Sequence, residues 1–187
     1  MDKKKELRKQ LLDERKKISA EDSGRWSLAL CGHLEKWIEK ESFSRILAFY
    51  AYRGEPDINS LIERLSIRLE IGLPRVIKDN EMVFIRYKKG DRLVKNRYGI
   101  LEPADSSVVI PDKDTLILVP GLCIDGKGYR LGYGGGYYDK YLSTHSHATT
   151  VGVFFHRFFM ESIPHDEFDR TISAMVTEQG IKQFDGK

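Results

Sequence analysis

The sequence predicts an α/β layered fold, with a largely parallel central sheet flanked by helices. Three observations carry this. Segments with helical spacing of apolar residues alternate with short strand-like runs, the pattern of strand–helix units. The run "TLILVPGL" at 115–122 is continuously apolar, which suits a strand buried on both faces. The 187 residues, 41% hydrophobic and 32% charged, fit one domain over 1–187 with enough apolar material for a core.

The elements follow in order. Lys3 to about Lys17 reads as a first helix, with Asp2 as its cap and Leu7, Leu11 and Leu12 on one face. "SAED" at 19–22 is a Ser-x-x-Asp start signal for a second helix, whose apolar stripe is Trp26, Leu30, Leu34, Trp37 and Ile38. "RILAFYAY" (45–52) reads as a strand. Pro56 fits the first turn of a helix carrying Ile58, Leu61, Ile62 and Leu65. "IGLPRV" (71–76) and "MVFIRY" (82–87) are strand-like, and 88–113 is rich in turn residues. After 115–122 come a glycine-rich loop and a helix from about Tyr137. "TTVGVFF" (149–155) and "ISAMVTEQG" (172–180) read as later strands.

Composition narrows the function. No apolar run approaches the ~20 residues of a membrane span, and "MDKKKELRKQ" lacks the apolar core of a signal peptide. A cytoplasmic protein without a membrane partner is expected, and a monomer. Cys31 and Cys123 are too few for a disulfide framework or a zinc site, and read as small buried hydrophobes. The net charge of +3 is local: residues 1–17 hold eight Lys/Arg against four Asp/Glu. Nucleic-acid domains carry broader basic faces with stacking aromatics, so a small polyanion is the expected partner rather than nucleic acid.

"GYRLGYGGGYYDKYL" (128–142) concentrates the chemistry. Four glycines occupy five positions, each costing roughly 0.5–1 kcal/mol against alanine in an ordered segment. Glycines here let backbone N–H groups approach an anion, and the following helix adds its positive dipole end. The order of buried strand, loop and helix puts this cradle where α/β sheets bind ligands. Arg130 supplies a forked donor to phosphate. Asp139 is either a helix-start residue or a Mg²⁺ ligand, and Tyr137 and Tyr138 either stack on a planar ligand or pack. "GLCIDGKG" (121–128) nearly matches a P-loop but ends in Gly128, where that motif needs a hydroxyl. Gly126, Gly128 and Gly132 are spaced too widely for a dinucleotide fingerprint.

"RLGYGGGYYDKYL" resembles the signature of the 5-formyltetrahydrofolate cyclo-ligase family. "KKELRKQLLDERKKIS", "FYAYRGEPDINSLI", "LPRV", "YGILEP", "LVPGLCIDGKGYRLGYGGGYYD" and "DRTISAMVTEQGI" are similar to further family segments, in the family's order and over nearly the whole chain. The resemblance implies ATP- and Mg²⁺-dependent conversion of 5-formyltetrahydrofolate to 5,10-methenyltetrahydrofolate, with ADP and phosphate released. It implies that Lys4 and Arg8, at i and i+4 on one helix face, bind ATP with Arg130, Leu131, Gly132, Tyr133, Gly134, Gly135, Gly136, Tyr137 and Tyr138. Arg130 and Tyr137 are expected to act in catalysis. Tyr133 to Tyr137 would also face the folate, together with Tyr50 and Glu55, and Asp139 and Asp169 would hold Mg²⁺. Taken without the resemblance, Lys4 and Arg8 fit a solvated helix face, Glu55 a helix-start charge, Tyr50 core packing and Asp169 a surface turn. Arg75 is open between the folate's glutamate and a structural ion pair. Some members carry a lysine where this chain has Gly135; Lys127 or Arg130 is the expected substitute. The five histidines fall in no family motif and read as surface or structural groups. A sugar-phosphate or coenzyme A binding module of the same fold is the alternative, and a nucleic-acid binder a more remote one.

Overall fold

The computed structural model describes residues 3–78, 81–105 and 107–184. Asp2, expected to cap the first helix, lies outside them. The described residues form helices α1 (Lys3–Lys16), α2 (Ala20–Glu41), α3 (Asn59–Leu65) and α4 (Tyr137–Thr144). Strands are β1 (Arg45–Leu47), β2 (Glu70–Val76), β3 (Met82–Tyr87), β4 (Leu93–Lys95), β5 (Leu101–Pro103), β6 (Val108–Val109) and β7 (Thr115–Val119). They continue with β8 (Cys123–Asp125), β9 (Arg130–Leu131), β10 (Thr149–Val153), β11 (Phe159–Met160), β12 (Ala174–Thr177) and β13 (Gly180–Gln183).

Eight strands make the main sheet, in the order β13-β12-β10-β7-β1-β2-β3-β6. The five from β12 to β2 are mutually parallel, and β13, β3 and β6 add antiparallel edges. The expected largely parallel sheet is therefore present. β7 is buried at every position, with Leu116 and Leu118 packed toward α2 and α3 and Ile117 and Val119 toward α4. That two-sided burial is why its sequence is apolar without alternation. The Ser19 hydroxyl accepts from the Asp22 amide at 3.0 Å, so the start signal of α2 operates as read. Leu30, Leu34 and Ile38 of its stripe are sealed against the sheet, each contributing about 1.5–3 kcal/mol of burial.

Several boundaries differ from the sequence reading, for local reasons. β1 ends at Leu47, because the chain bends away into a turn at 52–55. Pro56 precedes α3 rather than entering it; the Asp57 carboxylate takes the Asn59 amide at 3.0 Å and forms its own turn first. The segment 88–113 holds β4, β5 and β6, each too short to show a period. β13 follows β12 through Gly180 at φ 130°, where a continuous strand to 180 was expected.

The chain leaves β1 toward β2 on one side of the sheet, and leaves β7 toward β10 and β12 on the other. These two neighbours mark the point where the strand order reverses, the place where sheets of this kind open a ligand crevice. A small sheet of β11, β8 and β9 builds one wall, and α1 packs on it through Leu11, Leu122, Leu131, Phe155 and Phe158.

Candidate active site

Two loops define the crevice. The first runs from the end of β1 to α3. Within it, the Glu55 amide donates to the Tyr52 carbonyl at 3.1 Å, and both central residues are left-handed, Arg53 at φ 47° and Gly54 at φ 75°. Positive φ at two successive positions makes a tight reversal, and for an arginine it is strained. The turn closes by the Tyr52 amide donating to the Glu55 carboxylate at 3.0 Å. It delivers that carboxylate, 6% exposed, into the crevice.

The second loop is the glycine-rich segment after β8 and β9. Asp125 organises its entry: buried, it accepts from the amides of Lys127 at 2.9 Å, Tyr129 at 3.0 Å and Ile163 at 3.3 Å. The near-match to a P-loop is thus a carboxylate-capped turn whose amides are already taken. Gly128 (φ 83°) sits where a Cβ would lie 2.6 Å from the Ile172 carbonyl, so only glycine fits. Gly134 and Gly136 are also left-handed, whereas Gly132 is not and has open space around it. The ring of Tyr137 folds back over Gly135, filling the volume a side chain would need there.

The basic face of α1 lies on this loop. Arg8 Nε donates to the Gly132 carbonyl at 3.0 Å, and the Arg8 guanidinium crosses Gly134. Lys4 pairs with Asp166 at 2.8 Å and with Asp169 at 2.5 Å. Arg130 is buried; it donates to the Arg170 carbonyl at 2.9 Å and pairs with Asp139 at 3.0 Å. The Arg170 amide in turn donates to Asp139 at 3.0 Å. Lys4, Arg8, Arg130, Asp139 and Asp169 therefore gather at the rim of one glycine loop, from three separate regions of sequence.

Glu55 meets the loop at Tyr133, whose hydroxyl lies beside the carboxylate. Burial pushes the Glu55 carboxyl up to about 7, against the pull of the Arg15 charge, the Tyr52 amide and Tyr133. A carboxyl poised there changes charge in the neutral range, as functional groups do. Tyr137 lies beside Tyr98 and Arg97. Beyond them a cleft of about 620 Å³ opens, lined by Lys78, Asn96, Arg97 and Tyr98 among others.

Other expected residues sit differently. The Tyr50 hydroxyl is bonded to Tyr87 at 3.0 Å and Glu63 at 3.2 Å. Tyr138 packs in the core between sheet and α4, its buried hydroxyl without a partner among the described residues. Arg75 donates to the carbonyls of Pro103 and Asp105, a structural tie rather than an ion pair. Cys31 and Cys123 are buried free thiols, and burial raises both. Among the described residues no cluster of three or more His, Cys, Asp or Glu could hold a metal, so any ion here depends on ligand oxygens as well.

Sequence reasoning missed Arg15 and Asp125. Arg15 was legible in principle: Lys4, Arg8, Leu11 and Arg15 recur at helical spacing, and the last two are the buried residues of α1. Nothing in "CIDGKG" distinguishes Asp125 from an exposed turn aspartate.

Comparisons with known proteins show the family. The sequence model described as the 5-formyltetrahydrofolate cyclo-ligase family matches residues 1–178. This chain belongs to the 5-formyltetrahydrofolate cyclo-ligase family. It is 32% identical over 146 residues to the Escherichia coli K12 5-formyltetrahydrofolate cyclo-ligase, covering 74% of this chain and 80% of that protein. The mouse cyclo-ligase is 28% identical over 186 residues, covering 92% of each. The solved structure of Aquifex aeolicus 5,10-methenyltetrahydrofolate synthetase superposes with a TM-score of 0.86 at 31% identity, over 98% of this chain and 94% of that one. The chain is thus a ligase of folate metabolism that closes 5-formyltetrahydrofolate to the 5,10-methenyl form, and the cyclo-ligase family implies ATP as co-substrate.

Proposed function

We propose that the ring closure runs by phosphoryl transfer inside the crevice between β1 and β7. One observation carries this reading. Glu55 from the first loop lies beside Tyr133 of a glycine loop that Arg8 and Arg130 make cationic. A carboxylate accepts from the N–H-rich edge of a pterin, while glycine backbone and guanidinium groups suit a triphosphate. The two substrates then lie side by side.

The formyl oxygen attacks the terminal phosphorus of ATP, and ADP leaves with the broken P–O electron pair. The position-10 nitrogen of the folate adds to the activated formyl carbon and gives up its proton. The C–O bond then breaks and phosphate departs. Lys4, Arg8 and Arg130 neutralise phosphate oxygens, and the backbone from Leu131 to Tyr138 wraps them. Glu55 and Tyr50 border the folate, with Tyr133 to Tyr137 shared between the substrates, and Arg130 and Tyr137 act nearest the reacting atoms. The protein's work is positioning and charge neutralisation.

Asp139 and Asp169 fit Mg²⁺ by donor chemistry, since that ion takes one or two carboxylates with phosphate oxygens and water. Both already face a cation, Arg130 and Lys4 respectively. When bound, Mg²⁺ supplies neutralisation of the transferring phosphate's charge. No helix among the described residues is long and apolar enough to cross a membrane. We place the protein in the cytoplasm as a single-domain monomer with small-molecule partners only.

The test is direct. Protein, 5-formyltetrahydrofolate and Mg-ATP are mixed, and the near-UV absorbance of the methenyl product is followed. Folded protein that gives no rise, or a rise independent of ATP, rejects the reading.

A further inference from the structure

We propose that Arg15 is a positioning residue for the folate side of the crevice: its guanidinium aims the Tyr133 phenol proton at Glu55 and holds that carboxylate ionised. The inference rests on the assignment of Glu55 to the folate.

Arg15 is an arginine at 4% exposure, one of the two buried residues of α1 with Leu11. Sealing a guanidinium is costly unless its donors are used. Nη1 donates to the Tyr133 hydroxyl at 2.9 Å, and Nη2 donates to the Gly121 carbonyl and, at 3.4 Å, to that of Leu122, while Nε is buried without a partner among the described residues. The guanidinium carbon stands 5.3 Å over the Phe158 ring, and the side chain packs on Gly54, next to Glu55. Those carbonyls directly follow β7, so the group is fixed to the centre of the sheet.

The direction of the relay follows from donor counting. Arginine has no acceptor, so the Tyr133 oxygen must accept from it. The single phenol proton is then free for the neighbouring Glu55 carboxylate, as the 2.9 Å bond from Arg15 fixes the other side of the oxygen. The Arg15 charge and the donated phenol proton both favour the ionised form of Glu55, against the burial that raises its pKa. Among the described residues, the titratable or charged side chains acting on Glu55 are Arg15 of α1, Tyr133 of the glycine loop and Tyr138 of α4. Only Arg15 carries a positive charge toward it among those three, and tyrosine hydroxyls stay neutral in the neutral range. Ionised, Glu55 keeps acceptor capacity for a donor-rich heterocycle; protonated, it presents a donor there and loses the match.

The experiment separates this role from simple packing. Side-chain carboxyls of glutamate are labelled with ¹³C in the wild type and in Arg15→Gln, Arg15→Lys, Tyr133→Phe and Glu55→Gln. The resonance lost in Glu55→Gln reports Glu55, and its titration midpoint is followed without ligand. Arg15→Gln should raise the midpoint by about one pH unit or more, as loss of a neighbouring opposite charge does. Arg15→Lys should raise it less, and Tyr133→Phe should raise it with Arg15 intact. In turnover, Arg15→Gln should raise the KM for 5-formyltetrahydrofolate about tenfold with the KM for ATP little changed. A midpoint that stays at the wild-type value in Arg15→Gln and Tyr133→Phe overturns the proposal. So does an equal rise in both KM values. If Arg15→Gln does not fold, Tyr133→Phe and Arg15→Lys decide by the same titration. If the midpoints move but Glu55→Gln keeps the wild-type KM for the folate, the folate assignment falls and takes the positioning role with it, while the measured relay stands.

Discussion

Arg130 and Asp139 meet at 3.0 Å, the guanidinium side chain sealed at 3% exposure and the carboxylate open at 25%. The asymmetry separates their work. Arg130 is bound into the wall through the Arg170 carbonyl, whereas Asp139 keeps an open side toward solvent from the first turn of α4. Asp139→Asn preserves an acceptor for the Arg170 amide and removes the charge. We expect turnover to fall about 100-fold, the scale of losing one electrostatic contributor at a reacting phosphate, and the melting temperature to drop, because the sealed Arg130 loses its counter-charge. Arg130→Ala should lose turnover similarly and also about 1–3 kcal/mol of stability, because a buried carbonyl loses its donor. Initial rates by methenyl absorbance and thermal melts on both variants check this. Wild-type turnover in Asp139→Asn would sink the metal-side role.

The glycines divide into two kinds, and alanine tells them apart. At Gly128 a Cβ would strike the Ile172 backbone at a positive φ, so Gly128→Ala should lose more than about 2 kcal/mol of stability. At Gly132 the backbone is ordinary and the space open, so Gly132→Ala should stay within about 0.5 kcal/mol of wild type by urea unfolding. If the loop wraps phosphates, Gly132→Ala should nevertheless raise the KM for ATP severalfold. An unchanged KM for ATP there counts against backbone contact with the nucleotide at this position.

Lys4 bridges α1 to the 166–169 segment through a partly exposed pair of contacts. Pairs of that exposure are worth about 0–1 kcal/mol. Lys4→Met should therefore leave the melt nearly intact while raising the KM for ATP about tenfold, if its ammonium serves the phosphates. Raising salt should increase the wild-type KM for ATP more than that of the variant, because one screened attraction is already gone. Parallel salt curves for the two proteins would assign Lys4 to α1 docking alone.

The layered architecture was legible because β7 and the α2 stripe carry strong periodic signals, and the glycine loop because its composition has few other uses. The strands inside 88–113 were not, since two or three residues between turn signals show no period. Among site residues, Arg8 lies on the loop at Gly132 and Gly134, and Lys4 stands one turn before it on the same helix. Their pairings were not readable: Lys4 with Asp169 and Arg130 with Asp139 span 165 and 9 positions, and nothing local specifies them. Arg15 escaped notice because a buried arginine looks, in sequence, like its solvated neighbours Lys16 and Lys17. Its identity as a core residue depends on where the Gly121 and Leu122 carbonyls arrive from the far end of the chain.

Glu55 ties stability to pH in a direction opposite to most carboxylates. Its pKa is raised from 4.5 to about 7, with burial the largest cause. In the unfolded chain the group ionises near the lower value. Between the two values the folded state therefore holds the extra proton, and stability falls as pH rises through that window. The contribution is fully present below the unfolded value and gone above about 7. Glu55→Gln removes the dependence. By urea unfolding, the variant should gain roughly 2–3 kcal/mol relative to wild type on moving from pH 4 to pH 8. The same carboxyl should shape activity in the other sense. If the ionised form receives the pterin, wild-type kcat/KM for the folate should drop as pH falls below about 7. Glu55→Gln should show a low, flat profile in that range. A variant whose stability offset from wild type is the same at pH 4 and pH 8 would mean that Glu55 titrates normally in the folded protein, and the crevice would then be wetter than its burial implies.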